Sequence, residues 1–311
     1  MRVVGRGQSA GRISRVPEFD FIHWIKQQIK PDARVQIGIG DDLAALKWDA
    51  KDLLLAGVDQ VLDGVHFDSQ FHTPRDIGRK AMNRNLSDCA AMACLPAAAL
   101  ATVALPHGRD LQYARELFLG MQHAADAFGC TLVGGDTGAW PGKLVMTVTI
   151  LGRSAGIAPV TRGGAKPGDR IYVTGPLGGS ILGRHMTFEP RVQLARTLAG
   201  EGRITSMIDL SDGLSRDAAH IGRASGAGIL IESDRVPIHE DAQALFQKDR
   251  VSPLDHALHD GEDYELLFTS GFDFTPDVAV KIGRIVAESG VWIERDGRRE
   301  PLEPRGWEHQ I

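Results

Sequence analysis

The segment from Ile37 to Ala45 constrains the chain most, because it joins a short apolar run to glycines and then to two adjacent acids, Asp41 and Asp42. Glycine lets the backbone bend tightly and approach a ligand closely. Adjacent carboxylates repel each other unless a cation or a proton lies between them, and carboxylate oxygens are the ligands that Mg²⁺ prefers. A Gly-Asp-Asp sequence is also an ordinary turn, so this segment alone leaves both interpretations open.

Aspartates recur in similar positions along the chain. Each has a simpler alternative, since Asp212 suits a helix cap, Asp136 suits a turn and Asp88 suits a solvated helix face. The alanine-rich run after Asp88 argues for its partial burial. Together, many acids at the ends of apolar segments predict one shared, metal-filled pocket, because like charges so placed destabilise one another without cations. The recurring positions are Asp41 with Asp42, Asp59, Asp88, Asp136, and Asp209 with Asp212.

The common phosphate-binding and hydrolytic motifs are missing from the sequence. It contains no G-x-x-x-x-G-K-[ST] loop, no G-x-S-x-G, no H-E-x-x-H and no zinc-ligand pattern. Gly5 and Gly7 follow no predicted strand, so they form no dinucleotide-binding fingerprint. The residues alone therefore indicate a Mg²⁺-dependent phosphate enzyme, in which carboxylates hold a nucleotide or phosphate through several metal ions.

Composition is that of an ordinary globular protein. The chain has 311 residues, of which 43% are hydrophobic, enough for a full core and for about two domains. The net charge of −5 argues against a nucleic-acid partner, whose usual footprint is a basic patch. The three cysteines form no C-x-x-C pair, which indicates a reducing compartment. Since there is no signal peptide and no apolar run of the ~20 residues that span a membrane, we expect a cytoplasmic protein with no membrane partner.

Strands alternate with helices in both halves of the chain, which predicts α/β or α+β layers. The stretch from Arg153 to Asp169 is rich in glycine and proline and indicates a linker. We therefore expect a flexible N-terminal extension at 1–16, an N-terminal domain at 17–152 and a C-terminal domain at 153–311. Helices are predicted at Glu18–Lys30, from Pro74 to about Cys94, at Arg109–Phe128 and from Ser211 to about Ala224, and the clearest strands at Leu53–Val58, Ala98–Leu105, Thr131–Val133, Lys143–Leu151, Arg170–Thr174, Ile204–Asp209, Gly228–Glu232, Tyr264–Thr269 and Val291–Arg295.

A series of short motifs extends from residue 38 to residue 309, nearly the whole chain. They are Gly38-Ile39-Gly40-Asp41-Asp42, Asp59 to Phe67, Asn85-Leu86-Ser87-Asp88, Gly134-Gly135-Asp136-Thr137, Gly164 to Asp169, Asp209 to Leu214, Gly261 to Leu267, and Gly306-Trp307-Glu308-His309. In this order they resemble the thiamine-monophosphate kinase family, of the superfamily that includes aminoimidazole ribonucleotide synthetase and selenophosphate synthetase. The last two motifs point to the kinase.

The resemblance implies direct transfer of the γ-phosphoryl group of ATP to thiamine monophosphate, giving thiamine diphosphate, assisted by several Mg²⁺ ions. It also implies a two-domain fold like that of aminoimidazole ribonucleotide synthetase, whose N-terminal domain binds ATP and Mg²⁺ and pairs its sheet with that of a second copy in a homodimer. By this analogy the Mg²⁺ ligands are Asp42, Asp59, Asp88, Asp136, Asp209 and Asp212, with Asp41 as a helper. The implied ATP contacts are Gly135, Asp136, Arg162 and Ser211, and the implied contacts to the thiamine substrate are His66, Glu262 and Trp307.

The chemistry of the acceptor agrees with this assignment. A phosphate monoester has a second pKa of about 6, so the acceptor is already mostly a dianion and needs no strong general base. Positioning and charge neutralisation then suffice, in a sequence without an obvious nucleophile. Trp307 could stack on the cationic thiazolium ring, or could instead pack the C-terminal tail against the protein. His66 could contact the substrate, or could instead be a structural histidine at the end of a strand whose hydrogen bonds are made within the protein.

Several positions depart from the family pattern. Gly57 and Val58 stand where a hydroxyl residue usually precedes Asp59, so a side-chain oxygen ligand is lost. Gly138 replaces a threonine, Asp260 replaces a glycine, and Pro17 replaces the glycine of an N-terminal Gly-Glu-Phe. Two alternatives therefore stay open: another ATP-using enzyme of the same fold with a different acceptor, and a non-catalytic sensor of nucleotides or thiamine phosphates.

Overall fold

The computed structural model describes residue 33 and residues 35–38, 40–49 and 51–307. The predicted helix at Glu18–Lys30, the predicted extension at 1–16 and the end of the tail after Trp307 lie outside these residues. In the part of the chain that is described, no helix combines the length and the apolar character needed to pass through a membrane.

The first half of the described chain forms a six-stranded sheet with two helices. In chain order the elements are β1 (Val35–Ile37), β2 (Ala44–Lys47), β3 (Leu53–Leu62), α1 (Pro74–Ala91), β4 (Leu95–Pro106), α2 (Leu111–Ala127), β5 (Thr131–Trp140) and β6 (Val145–Arg153). The strand order is β1-β2-β3-β6-β4-β5, with every pair antiparallel except β4 and β5. These two strands are parallel because α2 supplies the long crossover that parallel pairing requires.

Helix α1 begins where the sequence predicts. The Thr73 side chain caps it by accepting a hydrogen bond from the Asp76 N–H, and Pro74 occupies the first turn, where a missing N–H costs nothing. The helix ends at Ala91 rather than near Cys94, because Ala93 takes a left-handed φ of 53° and turns the chain. The cap and this turn fix which residues of α1 face the rest of the molecule.

Helices α1 and α2 cross with their backbones close together. A Cβ atom on Gly78 would lie 2.0 Å from the Leu117 carbonyl oxygen, and one on Gly120 would lie 2.0 Å from the Arg75 carbonyl oxygen. Only glycine fits at these two positions. The pair of helices packs on the sheet through a continuous apolar core that includes Ile77, Met82, Leu86, Leu117, Met146, Val148 and Ile150.

The second half forms a seven-stranded sheet with short helices. Its elements are β7 (Arg170–Val173), α3 (Arg184–Thr187), α4 (Val192–Gly200), β8 (Ser206–Asp209), α5 (Leu214–Ser225), β9 (Gly228–Glu232), α6 (Glu240–Asp249), α7 (Pro253–His259), β10 (Leu266–Ser270), β11 (Val280–Val286), β12 (Gly290–Arg295) and β13 (Arg298–Pro301), with 3₁₀ turns at Ser180–Leu182 and Ser233–Arg235. The strand order is β13-β12-β9-β11-β7-β10-β8, and only β9 with β12 is parallel.

The mixed α/β architecture with two sheet-and-helix domains is confirmed, but two strand ends are wrong. The sequence predicts that β3 stops before Asp59, whereas the strand continues to Leu62, because its partner β6 pairs with it throughout. Likewise β5 extends past Gly135 and Asp136, which lie inside a strand and not in a turn after it. Residues 154–169 join the two sheets, and the exact domain boundary stays a prediction.

Candidate functional site

Three carboxylates from distant parts of the chain meet beside the C-terminal half of α1. Asp42 lies between β1 and β2, Asp88 lies on α1, and Asp209 ends β8. Each offers an oxygen atom, and these oxygens lie within 4.8 Å of one another. The fold therefore brings together three of the aspartates that the sequence assigns to metal binding.

Asp88 and Asp209 lie where two isolated negative charges are unfavourable. Burial raises the pKa of Asp88 well above its usual value, and the charges of Asp59, Asp209 and Asp42 raise it further. Burial and Asp42 raise the pKa of Asp209 to about 7, although the Ser87 hydroxyl donates a hydrogen bond to it. Within the described residues, no Lys, Arg or His forms an ion pair with either carboxylate. An all-oxygen donor set with unbalanced negative charge fits a hard divalent cation such as Mg²⁺.

Arg162 lies on one side of this group. Its Nη2 is 2.8 Å from Asp42 Oδ1 and its Nε is 3.0 Å from Asp42 Oδ2, a bidentate pair. The backbone N–H of Arg162 donates to Asp41 Oδ1 at 2.7 Å. The sequence assigns Arg162 to ATP and the two aspartates to metal, and the fold places all three in direct contact.

Arg84 contacts another of the predicted metal ligands, Asp59, and the sequence analysis missed it. Its Nε donates to Asp59 Oδ2 at 2.9 Å, and its Nη1 is 3.8 Å from Glu262 Oε1. Burial, the largest single effect, acts to lower the pKa of Arg84, but Asp59, Tyr264 and Glu262 together outweigh it and raise that pKa. A signal was available, because Arg84 and Asp88 are four residues apart on a predicted helix and therefore share one face.

Glu262 is held by two further side chains that the sequence analysis missed, Lys80 and His185. Lys80 is fully buried, and its Nζ donates to Glu262 Oε2 at 2.9 Å and lies 2.7 Å from His185 Nδ1. Burial lowers the pKa of Lys80 to about 8, against the attraction of Glu262. Burial acts to raise the pKa of Glu262, but the hydrogen bond from His185 and the charge of Lys80 lower it to about 2. Glu262 is therefore ionised at neutral pH.

His66 is buried beside the same network. Its carbonyl oxygen accepts a hydrogen bond from Lys80 Nζ at 2.6 Å, and its Nδ1 accepts from the Leu62 N–H at 3.1 Å. The contact with the Leu62 N–H agrees with the alternative interpretation, in which His66 makes its hydrogen bonds to the protein near a strand end. The carbonyl contact also connects His66, through Lys80, to Glu262, so two of the predicted substrate residues lie in one network.

The turn at Ser211 and Asp212 connects this network to the C-terminal tail. The Glu262 N–H donates to the Ser211 carbonyl oxygen at 2.8 Å, and the Trp307 N–H donates to the Asp212 carbonyl oxygen at 3.1 Å. Gly306 has a φ of 146°, and a Cβ atom there would lie 2.0 Å from the Asp212 carbonyl oxygen, so only glycine lets the tail dock here. The side chain of Trp307 is half-exposed.

Asp212 also belongs to a second group of possible metal ligands, with Asp217 and His220. One ligand atom of each lies within 4.8 Å of the others. Burial and nearby arginines, Arg162 the first among them, lower the pKa of His220 to about 3, so its imidazole is neutral at physiological pH. The sequence analysis missed Asp217 and His220, although their three-residue spacing on a predicted helix puts them on one face.

Gly135 and Asp136 lie apart from the carboxylates around Asp88. One row of paired residues crosses the sheet from Asp59 to Gly135. Asp59 on β3 pairs with Val148 on β6, Val148 pairs with Ala101 on β4, and Ala101 pairs with Gly135 on β5. Asp136 is therefore about three strand spacings, roughly 14 Å, from the Asp59 row. Both residues line a cavity of about 450 Å³ between β5 and α2.

Comparison with known proteins assigns the chain to a family. The model of the AIR synthase related protein, N-terminal domain, matches residues 40–154. The thiamine-monophosphate kinase of Rhodopirellula baltica is 37% identical, and the alignment covers 94% of this chain and 97% of that relative. The thiamine-monophosphate kinase of Aquifex aeolicus is 32% identical, and the alignment covers 96% of this chain and 99% of that relative. The solved structure of AaThiL complexed with AMPPCP and TMP is 30% identical, with a TM-score of 0.84 over 94% of this chain and 97% of that one.

Proposed function

Because the chain belongs to the thiamine-monophosphate kinase family, we propose that it transfers the γ-phosphoryl group of ATP to thiamine monophosphate, giving thiamine diphosphate. The observation that carries this proposal is the meeting of Asp42, Asp88 and Asp209 in a chain that aligns with those kinases over nearly its whole length. A related structure in complex with an ATP analogue and TMP supports ATP as the phosphoryl donor.

The residues supply positioning and charge for this reaction rather than a proton acceptor. The acceptor phosphate is mostly ionised at neutral pH, since its second pKa is about 6. Asp42, Asp88 and Asp209 are the ligands that we propose for Mg²⁺, which when bound neutralises the charge that develops on the phosphates. Arg162 pairs with Asp42, so its proposed contact with ATP would hold a nucleotide phosphate beside the metal site.

The remaining assignments of metal and nucleotide ligands stay proposals of differing support. Asp212, with Asp217 and His220, offers a second cation site, and Ser211 lies in the same turn. The proposed ATP contacts Gly135 and Asp136 have the support of the cavity that they line. The predicted metal roles of Asp41, Asp59 and Asp136 rest on the family resemblance.

Glu262 and Trp307 are the residues that we propose to recognise the cationic half of the acceptor. The low pKa of Glu262 keeps a negative charge near the carboxylate cluster, and the half-exposed indole of Trp307 offers a face for stacking. Stacking of a cation on tryptophan contributes about 0.5–2 kcal/mol. His66 is proposed to border this subsite, next to Lys80.

We also propose that the protein is a homodimer and that it works in the cytoplasm, as the sequence leads us to expect. Support for the dimer comes from β5, which forms one edge of the six-stranded sheet and exposes Val133 and Trp140. Within the described residues, no strand pairs with the outer edge of β5. Such an edge with apolar side chains is a template for pairing with another chain. The three cysteines are free, as expected of a reducing compartment.

The test is product analysis with purified protein, ATP, Mg²⁺ and thiamine monophosphate. We expect thiamine diphosphate and ADP in equal amounts. ATP turnover with another phosphate acceptor, but none with thiamine monophosphate, would show instead an enzyme of different acceptor specificity. Stabilisation of the protein by ATP and thiamine monophosphate without any turnover would show a sensor.

A further inference from the structure

The contact between Arg84 and Asp59 changes how many carboxylates are available to a metal ion. Asp59 is near enough to Asp88 to raise its pKa, yet it does not belong to the group of oxygens that lie within 4.8 Å of one another. Instead its Oδ2 accepts a hydrogen bond from Arg84 Nε at 2.9 Å. The Arg84 side chain is only 14% exposed, so solvent screens this pair weakly.

Four carboxylates and two guanidinium groups interact with one another in this region. Asp42, Asp59, Asp88 and Asp209 interact with one another electrostatically and carry four negative charges when all are ionised. Arg162 offsets the charge of Asp42 but leaves an Asp42 oxygen within 4.8 Å of those of Asp88 and Asp209. Arg84 offsets the charge of Asp59, which lies outside that group. The two charges that remain, on Asp88 and Asp209, equal the charge of one divalent cation.

Arg84 is held in place from more than one direction. It lies on α1 four residues before Asp88, so the same rigid helix carries both groups. Glu262 Oε1 lies 3.8 Å from Arg84 Nη1, and Glu262 itself is fixed by Lys80 and His185. A guanidinium fixed by two carboxylates does not leave its position without breaking both contacts.

We propose that Arg84 acts as a built-in cation that keeps Asp59 out of the metal coordination, so that one divalent ion is held by Asp42, Asp88 and Asp209. This inference rests on the proposed use of those three aspartates as the metal site. It assigns to Arg84 a positioning role and to Asp59 an indirect one, in place of the direct metal role that the family resemblance implies for Asp59. It also accounts for Gly57 and Val58 ahead of Asp59, since a strand segment that binds no metal needs no hydroxyl ligand there.

The experiment is a double-mutant cycle read out as Mn²⁺ affinity, measured by calorimetric titration of the full chain with Mn²⁺ alone. The variants are Asp59→Asn, Arg84→Met and the combination of the two. In the wild-type background we expect Asp59→Asn to change the affinity by less than about threefold, because Asp59 is already neutralised. In the Arg84→Met background we expect Asp59→Asn to weaken binding at least about tenfold, because Asp59 is then free to act as a ligand.

Arg84→Lys is the matched control, because lysine keeps the charge but loses the guanidinium fork. In that background the effect of Asp59→Asn should stay as small as in the wild type. The proposal is overturned if Asp59→Asn weakens Mn²⁺ binding at least tenfold in the wild-type background, since Asp59 would then be a direct ligand. Equal losses in the wild-type and Arg84→Met backgrounds also overturn it, since two independent electrostatic effects add.

The titration separates this inference from the proposed function, because it requires no turnover. A protein that shows the predicted cycle but makes no thiamine diphosphate keeps the role of Arg84 and loses the kinase assignment. A protein that makes thiamine diphosphate but shows no difference between the two backgrounds keeps the kinase assignment and loses the role of Arg84.

Discussion

At the scale of single residues, the site is a set of acids that the fold forces together. Asp88 is half-buried and Asp209 is buried. Neither carboxylate has an ion pair among the described residues and both have raised pKa values, so keeping them adjacent costs folding free energy. Such an arrangement persists when a ligand binds the native state and not the unfolded chain. The stability of the protein should therefore depend on both pH and divalent cations.

We expect the metal-free protein to lose stability as the pH rises from about 4 to about 7. The native pKa of Asp209 is about 7 against 3.8 for an ordinary aspartate, so in this window the native state binds more protons than the unfolded state and the free energy of unfolding falls with pH. Asp209→Asn should flatten this slope. Thermal unfolding at pH 5 and pH 8 measures it, and Mg²⁺ should stabilise the wild type more at pH 8. A slope that is unchanged by Asp209→Asn contradicts the prediction.

The sequence predicts the acids of the site better than its bases. Acids beside glycine or at the ends of apolar segments are local signals, and together with the short motifs that contain them they identify Asp42, Asp88 and Asp209. Lys80 and His185 are 105 residues apart and meet only through tertiary packing, so no local sequence pattern predicts their contact. From the sequence alone, a lysine on an amphipathic helix is expected to have a solvated side chain, whereas Lys80 is buried.

At the scale of secondary-structure elements, α1 organises the site. It carries Lys80, Arg84 and Asp88 on successive turns, and its crossing with α2 sets how far these side chains reach. The sequence predicts its start correctly, because Thr73 and Pro74 are strong local signals. The predicted end of β3 is wrong because pairing with β6 extends the strand through Asp59. Pairing between distant segments overrides the local preference of the sequence.

We expect Gly78→Ala to destabilise the protein by about 1–3 kcal/mol, because its methyl group forces α1 away from α2. Gly200→Ala is the control, since a Cβ atom there meets only Ile157 Cδ1 at an ordinary 3.6 Å. Urea unfolding of both variants measures the difference. Gly78→Ala should also weaken Mn²⁺ binding, because α1 carries Asp88. Equal stability of the two variants would show that the helices can separate at no cost.

At the scale of the whole molecule, the edge strand β5 connects the proposed dimer to the proposed ATP contacts. Gly135 and Asp136 lie on this strand, whereas Asp42, Asp88 and Asp209 meet on the other side of β4 and β6. The sequence predicts one shared pocket for all of these aspartates. The pattern of acids along the chain does not reveal the order of the strands in the sheet, so it could not predict this separation. The sheet separates them within one chain.

We expect the wild-type chain of 33.7 kDa to sediment with twice that mass, and Val133→Glu to shift it toward the monomer. Val133 is 58% exposed on β5, so a glutamate there adds charge to a strand edge without entering the core. Val251→Glu is the matched control, because this valine is also exposed but lies between α6 and α7. A monomeric wild type, or a Val133→Glu variant that stays dimeric, contradicts the assignment of this edge.

The central claim is direct phosphoryl transfer at the Asp42, Asp88 and Asp209 site, and a single-turnover reaction with ATP labelled in its γ-phosphate tests it. We expect the label to appear in thiamine diphosphate, one per ADP formed. Asp88→Asn should slow this at least about 100-fold while the protein stays folded, because burial already favours a neutral side chain at that position. Label found only in free phosphate, or transfer by Asp88→Asn at the wild-type rate, would contradict the account.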